Sequence, residues 1–274
     1  MTAFQQFIDA IPIGGIFLAF SVVALIVSEG GYRLGRWWQN RKPEEKEGPT
    51  PMIVGSLLAL MAFLLAITTG MASERFNARR ALVLAEANAM STAYLRAGYL
   101  SQPESAEVRQ LLRLYVPLRI APTDVETLTT NIERSAELQD ELWLIAEGLA
   151  RETPESDVLA LFLVSLNEVI DLHQQRIMAA VYGRVPVTIL LLLLSGSVLT
   201  LAMVGYNAGL TRRRSPLTAV VLIVILGAVI TVVIDLDRPQ GGFLEVSQRP
   251  LVELGRHIGA SLPGESSSGR PVGQ

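Results

Sequence analysis

The chain has 274 residues, no cysteine and a formal net charge of −3, and half of its residues are apolar against 18% charged. That balance excludes a disordered chain and a basic nucleic-acid binder, and the missing cysteines exclude disulfides, thiolate nucleophiles and cysteine-based zinc sites. A mean hydropathy of +0.39 fits a membrane protein with one modest domain outside the bilayer.

Four apolar spans carry that hydropathy: Ile11–Ser28, Pro51–Ala72, Val185–Tyr206 and Pro216–Ile234. Each has about 18 to 22 residues, the length a helix needs to cross about 30 Å of hydrocarbon at 1.5 Å per residue. No Lys or Arg precedes the first span. It lacks the positive start of a cleaved signal and reads as a retained membrane helix. The loop after it holds Arg33, Arg36, Arg41, Lys42 and Lys46, with Trp37 and Trp38. The tryptophans suit an interfacial belt better than a ligand site.

Span two runs without a breaker into Ser73–Leu100, which predicts one long helix. Gly55, Ser56, Ala59, Ala62, Ala66, Thr69 and Gly70 give it a face of small residues. Ala78, Ala81, Ala85, Ala89, Ala93 and Ala97 continue at helical spacing, a stripe that lets another helix approach. Ser101 and Glu104 have capping-box spacing and open a helix through about Ile120. Thr123 and Glu126 repeat it, opening a helix through about Ala150 with Leu138, Leu142, Ile145 and Leu149 on one apolar face. Thr153-Pro154 predicts the next helix start, and Gly183 and Pro186 a break before span three. Asn207-Ala208-Gly209, before Arg212, Arg213 and Arg214, reads as ordinary loop.

The fold class is thus all-α. It comprises a transmembrane hairpin in 1–72, an extramembrane helical bundle in 73–184 and a second hairpin in 185–236. A surface elbow at 237–258 and a disordered Gly/Ser/Pro-rich tail at 259–274 follow. The basic loops orient both hairpin turns to the cytoplasm. That places the domain outside the inner membrane of a multi-pass protein. Arg75, Arg79, Arg80, Arg176 and Arg184, near the other span ends, pull the opposite way.

Three polar clusters interrupt apolar elements. Arg75, Arg79, Arg80, Glu86, Asn88, Tyr94 and Arg96 follow span two. Asn167, Glu168, Asp171, His173, Gln175 and Arg176 precede span three. Their plain reading is one ion-paired network pinning two facing helices, since buried polar groups need partners. Their sharper reading is a polar pathway for an ion. A metal site from Glu86, Glu168, Asp171 and His173 lacks a Glu-x-x-His pair, so no metal is assigned. The third cluster, Asp235 and Asp237 with Pro239, Gly241 and Gly242, reads as a helix end turning back along the surface. Two carboxylates are few for Ca²⁺. Ser195, Ser197 and the two histidines form no triad at these spacings, and no enzyme is indicated.

Three stretches, "ERFNARRALVLAEANAMSTAYLRA", "SLNEVIDLHQQR" and "DLDRPQGGFLEV", together resemble the bestrophin-like family of bacterial membrane proteins. The resemblance runs from about Ala62 to Leu254. Bestrophins proper are pentameric anion channels with four membrane helices per subunit, a cytosolic helical region and an acidic Ca²⁺ clasp after the last membrane helix. Here the acidic run is confined to Asp235 and Asp237. The resemblance implies an oligomeric channel or transport protein passing small anions. Arg79, Arg80 and Arg96 would attract the ion, and span two would line the constriction. The alternative is a non-conducting membrane scaffold or sensor whose helical domain binds a partner. The lipid bilayer and a second copy of the chain are the expected partners, with no cofactor and no nucleic acid.

Overall fold

The computed structural model describes residues 3–41, 49–122, 125–212, 215–239 and 241–263. Its secondary structure is helical throughout the described residues. The helices are α1 (Ala3–Ala10), α2 (Ile13–Arg41), α3 (Thr50–Arg96), α4 (Glu104–Leu118), α5 (Val125–Glu152), α6 (Asp157–Val181), α7 (Val187–Thr211), α8 (Pro216–Asp237) and α9 (Arg249–Ile258). The chain divides into two compact units, Met1–Phe76 with Val181–Glu245, and Asn77–Ala180 with Val246–Gln274.

The first unit holds α1, α2, the start of α3, α7 and α8. Four helices, Ile13–Arg41, Thr50–Tyr99, Val187–Thr211 and Pro216–Asp237, are long and apolar enough to cross a membrane. Helix α2 packs against both α7 and α8. Phe20, Ala24, Met61, Leu193, Leu201, Ile223, Leu226 and Ile230 form the core. Large apolar side chains nevertheless face outward on all four, including Ile26, Phe63, Leu199 and Ile225. Their hydroxyls bond back to the preceding turn, as Thr68 Oγ1 does to the Leu64 carbonyl and Thr231 Oγ1 to that of Gly227. These two hydroxyls are thereby satisfied within their own helices.

The tightest contact in this unit is backbone on backbone. Helix α2 carries Gly31 and Gly35, and α7 carries Gly205 and Gly209, each pair four apart. A Cβ on Gly31 would lie 2.2 Å from the Ala202 carbonyl oxygen, and one on Gly209 would lie 2.2 Å from that of Tyr32. The partners rise together along both chains, so α2 and α7 run parallel with their ends level. Asn207-Ala208-Gly209, expected as loop, belongs to α7. The helix persists because Gly209 lets it approach α2, and contact with a neighbour outweighs glycine's weak helix propensity. Likewise α2 does not stop at Ser28. It carries Arg33, Arg36 and Arg41 on helix rather than on loop.

The second unit packs the end of α3 with α4, α5, α6 and α9. Val83, Met90, Ala93, Leu112, Leu138, Leu142, Phe162, Leu166 and Leu251 share one core. Ala89, Ala93 and Ala97 are buried, whereas Ala78 and Ala81 at the start of the alanine stripe are exposed. Two helix starts differ from expectation. Pro103 is the N-cap of α4, and the Ser101 hydroxyl bonds the Glu104 carboxylate at 3.0 Å instead of a backbone N–H. Ser156, not Thr153, caps α6 by accepting from the Leu159 N–H at 3.3 Å. Thr153 still belongs to the α5 terminus, where its N–H and hydroxyl both bond the Leu149 carbonyl. The proposed cap Thr123, the basic residues Lys42, Lys46, Arg213 and Arg214, Gln240 and the tail from Gly264 lie outside the described residues. Leu262, inside the expected tail, is buried and packs against Gly255 of α9.

Candidate functional site

Glu86 is the most deeply buried charge in the second unit, with no exposed surface. Its two carboxylate oxygens each accept a guanidinium hydrogen bond. Arg119 Nε donates to Oε1 at 2.6 Å and Arg176 NH1 to Oε2 at 2.5 Å. Arg176 also donates to the Arg119 carbonyl at 2.9 Å and to Gln248 Oε1 at 2.8 Å. One carboxylate thus ties α3, the end of α4, α6 and the segment leading into α9. Charge-assisted bonds of this kind are strong, and burial makes each partner depend on the others.

Beside this cluster lies a neutral chain of hydrogen bonds. Gln139 Nε2 donates to the Tyr115 hydroxyl at 2.8 Å, and that hydroxyl lies 3.2 Å from His173 Nδ1. The hydroxyl accepts from Gln139, and its direction toward His173 Nδ1 is set by the tautomer of the ring. Burial, and after it the Arg119 charge, pull the His173 ring down to about 4. Burial pushes the Tyr115 hydroxyl well above its usual range. Both groups therefore stay neutral at ordinary pH.

The residues singled out in the first two sequence clusters do not all converge here. Glu86 and Arg176 meet. Arg79 is buried, Arg75, Arg80 and Asn88 are exposed, and Arg96 donates to the Leu161 carbonyl at 2.7 Å. Asn167, Glu168 and Asp171 are exposed. Asn167 Nδ2 bonds Asp171 Oδ2 at 2.9 Å along their own helix. Helices α3 and α6 do face each other, with Arg176 balancing Glu86, but Asn167, Glu168 and Asp171 take no part in that contact. Leu166, Val169 and His173 occupy the inward face of α6, and helical periodicity turns 167, 168 and 171 away.

A second constellation closes one end of the first unit. Arg184 grips Asp9 with two bonds of 2.7 and 3.0 Å and reaches Asp237 Oδ2 through Nε at 3.1 Å. Asp237 Oδ1 accepts the Val185 N–H at 2.6 Å. Arg238 donates to the carbonyls of Ile8 and Ile11. Asp235 accepts the N–H groups of Phe243 and Leu244 at 2.9 and 3.0 Å. Pro239 is the second residue past the end of α8, after the C-cap Arg238. Gly241 has φ +75°, and a Cβ on Gly242 would meet Asp235 Oδ1 at 2.2 Å. The first position favours glycine by its backbone conformation, and a side chain at the second would displace the Asp235 carboxylate.

Residues 18–251 match the family model of the Bestrophin-like domain. The chain belongs to the bestrophin-like family. This bestrophin-like chain also matches solved structures of a bacterial bestrophin homolog from Klebsiella pneumoniae. One, carrying a point mutation, has a TM-score of 0.63 at 14% identity over 89% of this chain and 96% of that one. The other has a TM-score of 0.62 at 16% identity, covering 89% and 94%. At such identity the likeness is one of fold. No curated protein matches the chain.

The acidic clasp of bestrophins proper finds no equivalent donor set at the bestrophin-like elbow. Asp235 and Asp237 already spend their oxygens on backbone N–H groups and Arg184, and they do not fit a Ca²⁺ site that needs six to eight oxygens. Among the described residues no group of three His, Asp or Glu side chains could hold a metal. Sequence reasoning missed Arg119, Tyr115, Gln139 and Asp9. The available signal for Arg119 was a lone cation within the apolar run Tyr115–Ala121.

Proposed function

We propose that the chain forms an oligomeric, anion-conducting membrane protein with four membrane helices and a helical domain inserted between the second and third, set in a bacterial inner membrane. Its α3 would line the constriction. The observation that carries this reading is the division of α3 into faces. Val54, Met61, Thr68 and Ala72 are buried, while Gly55, Ser56, Ala59, Ala62, Ala66 and Gly70 are exposed along a separate stripe. Nothing lies within 4 Å of a Cβ at Gly55 or Gly70. A helix that leaves a narrow small-residue face uncovered suits a ring of copies around an axis. Of the cations first assigned to attract the ion, Arg80 is exposed on α3, whereas Arg79 is buried and Arg96 is bonded to Leu161. Arg80 is therefore the better candidate.

The test is chloride efflux from vesicles containing the purified chain. Ala62→Phe and Ala66→Phe should cut flux at least ten-fold without lowering thermal stability. A monomer in several detergents, or no flux from an intact oligomer, overturns conduction. The second reading, a scaffold whose helical domain binds a partner, draws on Trp143 and Leu144 of α5, which are 41% and 67% exposed.

A further inference from the structure

One end of the first unit gathers arginine and tryptophan on one side of α2. On α2, Arg33, Arg36, Trp37 and Arg41 fall on a common side at helical spacing, and all four are exposed. Gly31 and Gly35, which meet α7, lie half a turn away from Arg33. The basic stripe therefore looks away from α7 and into the surroundings. Arg41 stacks its guanidinium 4.0 Å from the Trp37 ring centroid. The described carboxylate on this side is Glu29, held by Arg33 Nε at 3.0 Å. Among the described residues arginine is thus in excess on this side.

The depth of this stripe follows from two independent helices. About 20 residues span the hydrocarbon. Counted from the start of α2 they end at Tyr32, and counted from the start of α7 they end at Tyr206. The glycine contact sets these two levels side by side, since a Cβ on Gly35 would meet the Tyr206 carbonyl oxygen at 2.2 Å. Arg33, Arg36 and Trp37 therefore begin where hydrocarbon stops. Arg212, at the end of α7, donates to Gln39 Oε1 at 2.9 Å and Asn40 Oδ1 at 2.8 Å. That adds a further guanidinium at the same end and holds the two helix ends together.

We propose that Arg33, Arg36, Trp37 and Arg41 bind the headgroup of an anionic phospholipid. The guanidinium groups meet the phosphate, and the indole occupies the boundary between headgroup and acyl chain. The proposal rests on reading α2 and α7 as membrane spans.

The experiment uses the purified full chain in detergent, titrated with dioleoyl phosphatidylglycerol or dioleoyl phosphatidylcholine and read by native mass spectrometry. Phosphatidylglycerol adducts should exceed phosphatidylcholine adducts and weaken with salt. Arg36→Gln should lower phosphatidylglycerol affinity about five-fold and Arg36→Gln with Arg41→Gln about 25-fold. Thermal stability without lipid should not change. Equal retention of the two lipids, or a double variant that binds phosphatidylglycerol undiminished, overturns the site. Displacement of the lipid by inorganic phosphate, but not by chloride at equal ionic strength, also overturns it in favour of a soluble-phosphate site. Alkaline extraction of membranes separates the two readings. Release of the chain sinks the membrane-span reading itself, whereas retention without lipid preference sinks the headgroup site alone.

Discussion

Gly35 of α2 and Tyr206 of α7 meet main chain to main chain, so that a Cβ on Gly35 would stand 2.2 Å from the Tyr206 carbonyl oxygen. The obstructing atom is backbone and cannot swing aside. We expect Gly35→Ala and Gly209→Ala each to destabilise the first unit on the order of 1–3 kcal/mol, the range for overpacking a close contact. Gly55→Ala, where a Cβ meets nothing within 4 Å, should be neutral or stabilising by up to about 1 kcal/mol. Thermal melts in one detergent decide the matter. Equal melting temperatures for the three variants would refute the close approach.

Glu86→Gln should cost about 3–5 kcal/mol, because it leaves the Arg119 and Arg176 guanidinium groups buried beside a neutral amide. Glu168→Ala and Asp171→Ala should stay within about 0.5 kcal/mol of the parent, as exposed substitutions do. Melting curves of the three variants give the comparison. Loss of stability in all three would restore the facing-helix network expected from sequence.

The His173 ring supplies a pH dependence. Its folded-state pKa of about 4 lies below the ordinary 6.5, so the unfolded chain binds a proton more readily than the fold does. Stability from this group is therefore full above about pH 6.5 and is lost as the pH falls toward about 4. We expect the melting temperature to drop across that window and His173→Gln to flatten the drop. An unchanged slope in the variant would assign the acid sensitivity to other groups.

Millimolar Ca²⁺ or a chelator should leave the melting temperature unmoved, since the oxygens of Asp235 and Asp237 are already engaged. Asp237→Asn should cost about 2 kcal/mol by weakening the bonds from Arg184 and Val185. Stabilisation by Ca²⁺ that disappears in this variant would reinstate a cation clasp.

Sidedness is open to a direct measurement in this cysteine-free chain. Ser105 is buried, with its hydroxyl on the Ala97 carbonyl at 2.7 Å, so the exposed Glu107 is the better labelling position. The charge bias of the basic helix ends predicts that a membrane-impermeant thiol reagent labels Glu107→Cys and not Thr211→Cys. The reverse pattern would place the domain in the cytosol, as in bestrophins.

Hydropathy and the missing breaker after span two made the apolar helices and the long α3 legible, because both signals are local. The α5 stripe through Leu138 and Leu142 was legible for the same reason. Glu86 and Arg176 were recognisable as partners by chemistry, but 90 residues separate them, and no spacing rule reaches that far. Arg119 escaped because a single cation carries no periodicity. The glycine pairs were visible as letters four apart. Gly31, Gly35 and Gly209 read as loop because glycine signals a turn until the facing helix is known. Asn167, Glu168 and Asp171 misled because an apolar neighbourhood in sequence does not say which side of a helix turns inward.

The pairing of α2 with α7 also sets an order of events during synthesis. Arg212 emerges 173 residues after Gln39, the residue it holds. At about 5–20 residues per second, that interval is roughly ten to thirty seconds. For that time the glycine face of α2 lacks the helix it packs against in the finished structure. Helices α4, α5 and α6 are made in that interval, whereas α9, which shares their core, follows only after α8. Both units are therefore completed late, and a chain truncated before α7 should lack the tightest helix contact of the first.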